Sequence, residues 1–486
     1  MKLTIKSSLR KFLFMGLSIG LLGTSSCNKF LDVRPQGELP SDRLLKDAAG
    51  FESAIYGVYA SMSTENLYGK TLSHEMIEIL AQYFDSFQNE YVEQVQTYNY
   101  KHTLLETTLY NVWKDMYTNI ANANNILISL EKYEGKLEHY KLYRGEALGI
   151  RAFMHFDLLR LYTENIKANA NASGIPYSTK FSLKPSEFSN AAKVYELIIA
   201  DLKEAEQLLA ADAQYLTTPK VNPPVSFLRD LETHFNLYAV QALLARVYLT
   251  KGDLLNAAVY AKKVINSKKF TLMDKSELAL ASTNGGLYAK ETIFGLYSTR
   301  YYTTVRDRFL LQSTYFSYDL RPNMAGIYQH EQVGHDYRWE AFFRLPVAGQ
   351  GAIRFSKLLD KYLADNQEYF RPEGMISGIN LIRLPELYYI MAEALLTSNP
   401  QEAMQYFNAV LSSRGLTPLN ERSPALSLTL ERITADRYKE LIGEGQTFFN
   451  MKRLHLNIRN VNNVEVPASN KIYVWPIPFD EQEYNN

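Results

Sequence analysis

Along most of this chain apolar residues recur at spacings of three and four, the period of an α-helix that buries one face. The clearest stretch is 236–266, NLYAVQALLARVYLTKGDLLNAAVYAKKVIN. Two such patterns meet there at the turn Lys251-Gly252-Asp253. Ala245 and Ala257 are small where two antiparallel helices have to come close, and Tyr248, Ala261 and Val264 fill the facing positions. That spacing is the one of a tetratricopeptide helix pair. A single pair cannot bury its own apolar face, so further pairs are expected to stack on it.

Several other segments carry the same period. One face holds Phe51, Ile55, Val58 and Tyr59, on a helix that Ser41 or Asp42 could cap. A strong helix is predicted over 109–130 with Val112, Trp113, Met116, Ile120 and Ala123 on one side. Another is predicted over 136–162 with Ala147, Ile150, Met154, Leu158 and Leu161. Helix is expected again over 191–211 and over 430–454, and a further helix pair over 384–413, where Ala392 and Ala403 repeat the small-residue positions. Breaks fall at 163–190, rich in Asn, Ala and Gly, and at 212–230, which holds Pro219, Pro223 and Pro224. The stretch 62–94 is less regular and contains Tyr68, His74, Tyr83, Phe84 and Asp85. The largest interruption, 270–379, shows no sustained helical period, and only 291–298 and 352–355 read as strand-like. The expected fold is therefore mostly α: three to four tetratricopeptide-like helix pairs interrupted by a loop-rich, partly β insertion. A single domain over 27–486 would divide into a helical part (28–270), an irregular aromatic-rich insertion (271–380) and a C-terminal helical part with its tail (381–486).

Charge changes this picture only by exclusion. Fifty-two basic residues balance fifty-two acidic ones, so no basic field for nucleic acid is expected. The distinctive count is 35 tyrosines against 24 phenylalanines. Tyrosine combines a flat apolar face with a polar tip, which suits wet binding surfaces and the edges of half-buried helices alike.

Cys27 is the only cysteine. Before it stand Lys2, Lys6, Arg10 and Lys11, the apolar run 12–23, and the small residues Gly23, Thr24, Ser25 and Ser26. The run is too short to span a bilayer but fits the core of a secretory signal. Small residues leading directly into a cysteine look like a lipobox. Residues 1–26 then read as a lipoprotein signal peptide and Cys27 as the lipidated first residue of the mature chain. No downstream run is long and apolar enough to span a membrane, so the lipid would be the sole anchor.

Catalytic patterns are weak. His330-Glu331 and His335 invite comparison with HExxH, but their spacing is five. Five helical residues turn about 500°, which points the two imidazoles some ~140° apart. No nucleophile elbow and no phosphate loop is present, and the single cysteine leaves no thiol nucleophile. Asp360, Asp365 and Glu368 sit among Lys361 and Asn366 as solvated charges would. Neither catalysis, a metal nor a cofactor is predicted.

Binding has more support. Between Leu287 and Arg338 lie eight tyrosines, at 288, 297, 301, 302, 315, 318, 328 and 337. Sugars present alternating C–H faces and hydroxyl edges, which suit aromatic platforms beside Asn, Asp or Arg. Tyr301, Tyr302, Tyr315, Tyr318 and Trp339 are candidate platforms here, with Arg306 beside them, and Tyr68, Tyr83 and Asp85 are candidates in the earlier irregular stretch. Peptides could use the same surface. Several of these rings could instead pack the insertion onto the helices, and a purely structural adaptor in the envelope is a further reading.

The order of segments resembles the SusD/RagB family of outer-membrane nutrient-binding lipoproteins of Bacteroidetes-type bacteria. The likeness runs through CNKFLDVRPQGEL, WKDMYTNIANANNIL, GEALGIRAFMHFDLLRLY, ALLARVYLTKGD, IRLPELYYIMAEALL, ERITADRYKELIGEGQTFF and WPIPFDEQEYNN, in that order. It implies a helical fold of four tetratricopeptide-like pairs carrying a loop-rich part. It also implies a role: a non-catalytic protein at the cell surface captures a glycan, or in some members a peptide, and hands it to a TonB-dependent SusC-like barrel. One departure stands out. Where many members have Glu-Gly-His-Arg before two aromatic or apolar residues and Asp, this chain has Glu444-Gly445-Gln446-Thr447-Phe448-Phe449-Asn450. A basic residue and an acid are missing, which predicts altered local electrostatics on an unaltered fold.

Overall fold

A computed structural model of the chain describes residues 44–86, 89–216 except 183 and 185, and 226–309 except 285, 286 and 289. It further describes 318–320, 324–329, 334–344, 353–359, 376–460 and 462–484. Residues Leu45–Asn486 form one compact unit. Its first helix, α1 (Ala48–Met62), starts at Asp47, whose carboxylate accepts from the Gly50 amide at 3.0 Å. Asp47 is the cap of this helix; Ser41 and Asp42, the expected caps, lie outside the described residues. The predicted face is the buried one: Phe51, Ile55, Val58 and Tyr59.

The irregular stretch that follows holds two short helices, α2 (Met76–Leu80) and α3 (Glu90–Gln96), with the strand β1 (Phe84–Ser86) between them. Then come α4 (Thr103–Leu130) and α5 (Tyr140–Tyr162). Helix α5 is packed between α4 and α6 (Ala191–Leu209), so even its polar residues are buried. Each finds a partner: Glu146 accepts from the Tyr59 hydroxyl at 2.6 Å, and Arg151 donates to Asp201 at 2.7 and 2.8 Å. The break between α5 and α6 carries the antiparallel pair β2 (Ser173–Pro176) and β3 (Phe188–Asn190).

Helices α7 (Leu237–Lys251) and α8 (Leu254–Ser267) are the pair that the sequence pattern predicts. Asn236 caps α7 by accepting from the Tyr238 and Ala239 amides, and Asp253 caps α8 by accepting from Asn256. Ala245, Ala257 and Ala261 are fully buried at the contact, where Tyr248 stacks on Tyr260 at 5.6 Å.

The chain then leaves the helical array. The insertion holds α9 (Lys275–Asn284), β4 (Thr292–Tyr297), α10 (Tyr301–Phe309), β5 (Tyr318–Leu320), α11 (Met324–Gln329) and α12 (Tyr337–Phe342). After these come β6 (Phe343–Arg344), β7 (Arg354–Phe355) and β8 (Gly378–Arg383). It is less irregular than its sequence suggests, because helices of two or three turns are too short to show a sustained period. Strand β4 pairs antiparallel with β8, Tyr297 opposite Gly378 and Thr292 opposite Arg383, and both are almost wholly buried. The array resumes at α13 (Leu384–Leu395), which packs directly on α8, and continues with α14 (Pro400–Ser413). Consecutive contacts thus run α4, α5, α6, α7, α8, α13, α14, as though the insertion were absent.

One sequence expectation is corrected here. The segment 430–454 is not a single helix but α15 (Leu430–Leu441) and α16 (Thr447–Leu454). Gly443 and Gly445, at φ of +80° and +69°, turn the chain between them. The closing elements are the pair β9 (Ile458–Arg459) and β10 (Glu465–Val466), then α17 (Asn470–Tyr473) and α18 (Phe479–Tyr484).

A buried ionic cluster fastens the insertion to α15. Arg383 reaches Glu291 and Glu440 at 2.9 Å and Glu444 at 2.7 Å. Arg414 bridges Glu291 at 2.8 Å and Glu440 at 2.9 Å. Arg338 pairs with Asp336 and Asp436, and Lys357 with Glu444. Burial alone would raise the Glu440 carboxyl, but Arg414 and Arg383 outweigh it and hold it well below the usual carboxylate range.

Candidate ligand-binding site

Two stretches that the sequence marks separately come together in space. Strand β1 pairs antiparallel with β5, placing Phe84 opposite Leu320, Asp85 opposite Asp319 and Ser86 opposite Tyr318. Beside them α10 lies on the turn-rich segment that precedes α2. Its buried face is Tyr301, Val305 and Phe309, one residue per turn. Tyr301 meets the ring of His74 edge-on at 5.3 Å and Phe309 lies 5.9 Å from the same ring. Burial, then Arg308 and Lys70, push His74 well below its ordinary pKa, so the imidazole is neutral. An ion pair of Arg308 with the buried Glu75 holds the helix in place.

This packing turns Tyr302 and Arg306 toward the other side of α10. Both are half-buried, the guanidinium 5.7 Å from the Tyr302 ring and hydrogen-bonded to Asp307 at 2.7 and 2.9 Å. A polar cleft of about 200 Å³ opens between the segment 66–75, the start of α3, the N-terminal half of α4 and the Arg308 side of α10. Asn66, Lys70, Asn89, Tyr91, Asn111 and Arg308 line it. Asn66 donates to Asp115 at 2.8 Å and Asn89 accepts from the Val92 amide, which fixes the two amide groups. Amides, cations and a phenol on a rigid helical frame can bind hydroxyl-rich ligands. Among the described residues no group of three His, Cys, Asp or Glu side chains could hold a metal ion.

The other candidates are distributed differently. Tyr68 is 3% exposed, and its hydroxyl donates to Asp157 at 2.7 Å, so it is a core residue and not a platform. Tyr301 and Trp339, 5% and 4% exposed, are likewise packing residues; Trp339 sits against Tyr328 and Phe343. Tyr83 is half-buried and stacks on Tyr438, with centroids 3.6 Å apart and planes at 18°. Cys27 and Tyr315 lie outside the described residues, as do the side chains of Asp85 and Tyr318. His335 is exposed and bonds Glu340 at 2.9 Å. Sequence reasoning missed Asn66, Lys70, Asn89, Asn111 and Arg308. They are common polar residues without a pattern, and the only signal near four of them was the loss of helical period over 62–94 and the aromatic insertion.

Family profiles match two parts of the chain: one described as "Starch-binding associating with outer membrane" over residues 29–249, the other as "SusD family" over 353–486. The chain belongs to the SusD family. Over 98% of its length it is 26% identical to SusD-like protein P2 of Formosa agariphila, of which it covers 97%. Its fold is that of a SusD superfamily protein from Bacteroides thetaiotaomicron, with a TM-score of 0.71 and 23% identity over 90% of this chain and 98% of that one. A SusD-like carbohydrate binding protein from Bacteroides vulgatus is similar at a TM-score of 0.70 and 22% identity, over 90% of this chain and 96% of that one. The stretch 250–352, which contains α10, β5 and α12, lies between the two profile matches.

Proposed function

We propose that this SusD-family protein is a non-catalytic capture protein of the outer membrane. It binds oligosaccharides and passes them to a TonB-dependent SusC-like transporter, with Cys27 carrying the lipid anchor and the protein facing the cell surface. The observation that carries the sugar reading is the polar cleft, built from amides and cations on a rigid frame. The likeness to the SusD-like carbohydrate binding protein from Bacteroides vulgatus supports the same class. Transfer to a barrel, the anchor and the orientation rest on family membership and on the lipobox-like start.

Calorimetric titration of the unit Leu45–Asn486 with a panel of oligosaccharides, and in parallel with protein digests, tests the ligand class. At least one oligosaccharide is expected to bind, and Tyr302→Ala and Asn111→Ala are each expected to weaken it about tenfold. Binding of digests alone would overturn the sugar reading in favour of a peptide receptor. Release of shorter sugars by the purified protein would overturn the non-catalytic one.

A further inference from the structure

A second cavity lies away from that cleft, between α15 and α16. It is a groove of about 300 Å³, at the lower end of the volumes that hold small molecules. Leu430, Leu441, Met451 and Leu454 line it, together with the stacked rings of Tyr83 and Tyr438. Such walls suit a hydrocarbon better than a sugar.

Two polar groups in this lining, Arg437 and Thr447, are short of partners. Arg437 is 6% exposed, and its Nη2 donates to Glu386 at 3.0 Å, yet its Nε and Nη1 have no hydrogen-bond partner. Glu386 is already held by Arg246 through bonds of 2.9 and 2.6 Å. Arg453 has a carboxylate to itself, Glu393, at 2.6 and 2.7 Å. Two guanidinium groups therefore share one carboxylate, and one positive charge is left over. Burial draws Arg437 below its ordinary pKa against the pull of Glu386 and Glu393, and Arg453 and Arg246 push in the direction of burial. Thr447, 7% exposed, also lines the groove with a hydroxyl that lacks a partner. Buried guanidinium N–H groups and a hydroxyl without an acceptor are costly unless something accepts from them.

We infer that this groove binds a small monocarboxylate with an apolar chain or ring, the carboxylate accepting from Arg437 and Thr447 and the apolar part lying along Leu430, Met451 and the Tyr83–Tyr438 stack. A single negative charge matches the single positive one left over. Glu431 at the exposed rim disfavours a dianion such as a phosphate monoester. The site does not depend on the sugar reading, because none of the residues named here lines the polar cleft.

Calorimetric titration of the unit Leu45–Asn486 with octanoate, and with octanol and glucuronate as controls, tests the inference. One octanoate per chain is expected, bound about tenfold or more tightly than octanol, with glucuronate weaker still. Ala435→Trp, at an exposed position on the rim, is expected to weaken octanoate about tenfold or more by filling the groove. Arg437→Met is expected to abolish the preference for octanoate over octanol. Should that variant fail to fold, the wild-type preference and the Ala435→Trp result decide together. Equal affinity for octanoate and octanol, glucuronate binding as tight as octanoate, binding that survives Ala435→Trp, or no binding at all would overturn it.

Discussion

Glu78 lies fully buried under the turn between α15 and α16, where its Oε1 accepts from the Gly445 amide at 2.9 Å and its Oε2 has no partner. Burial, helped by Glu444, raises its pKa to about 7 in spite of the Gly443 and Gly445 amides and of Lys357. A carboxyl raised in the folded state favours folding below its ordinary value near 4.5, and that contribution is lost as pH rises through about 7. Glu78→Gln is therefore expected to stabilise the protein above pH 7 by on the order of 1–2 kcal/mol and to leave it nearly unchanged at pH 4.5. Urea melts at the two pH values check this, and an equal gain at both would refute it. Glu440 has the opposite sign. Its carboxyl is depressed, so its contribution is present above the ordinary carboxylate range and fades as the solution is acidified below it. Thr447 and Asn450 stand where the motif usually has a basic residue and an acid, and the structure places both in the groove that contains the unpaired edge of Arg437.

Among the elements, helices were legible wherever the apolar period ran for three turns or more. The pair α7 and α8 is the clearest case, with Ala245 and Ala257 at the close approach and Asn236 and Asp253 as caps. Where the period is short or all faces are buried, the sequence misleads. Helix α10 was invisible because its buried stripe is only Tyr301, Val305 and Phe309. The break between α15 and α16 was missed because apolar and charged residues continue in helical order across it. What breaks the helix there is backbone geometry. A Cβ at Gly445 would stand 2.2 Å from the Leu72 carbonyl oxygen, and the φ of +69° is one that side-chain-bearing residues rarely adopt. Gly445→Ala is expected to cost about 2–4 kcal/mol, read from the shift in the denaturant midpoint. A loss below about 0.5 kcal/mol would mean that the turn tolerates a side chain.

At the scale of the whole molecule, the insertion leaves the array after α8 and returns at α13, and the two helices pack on one another as sequence neighbours would. Its attachment runs through the charges on α15 and the turn after it, with Glu440 at the centre of three arginines. Removing that carboxylate takes one partner from each of three buried arginines and leaves Arg383 and Arg414 to share Glu291. Glu440→Ala is accordingly expected to destabilise the fold by about 3–5 kcal/mol. Hydrogen exchange should quicken at β4, which the neighbouring Glu291 ties to the same cluster, and unchanged protection there would refute the role given to Glu440. By itself the sequence determined the helical class, the stacking pair, the family and the interrupted layout. Each of these depends on local periodicity or on motif order along the chain, which a linear text preserves. Only the tertiary structure decided which aromatic residues are free. Tyr68, Tyr301 and Trp339 look like Tyr302 in sequence, but the first three are enclosed by other segments and the fourth is left half-buried. The cleft and the groove were decided in the same way, because each is lined by residues far apart in the chain whose partners, or lack of them, exist only after folding.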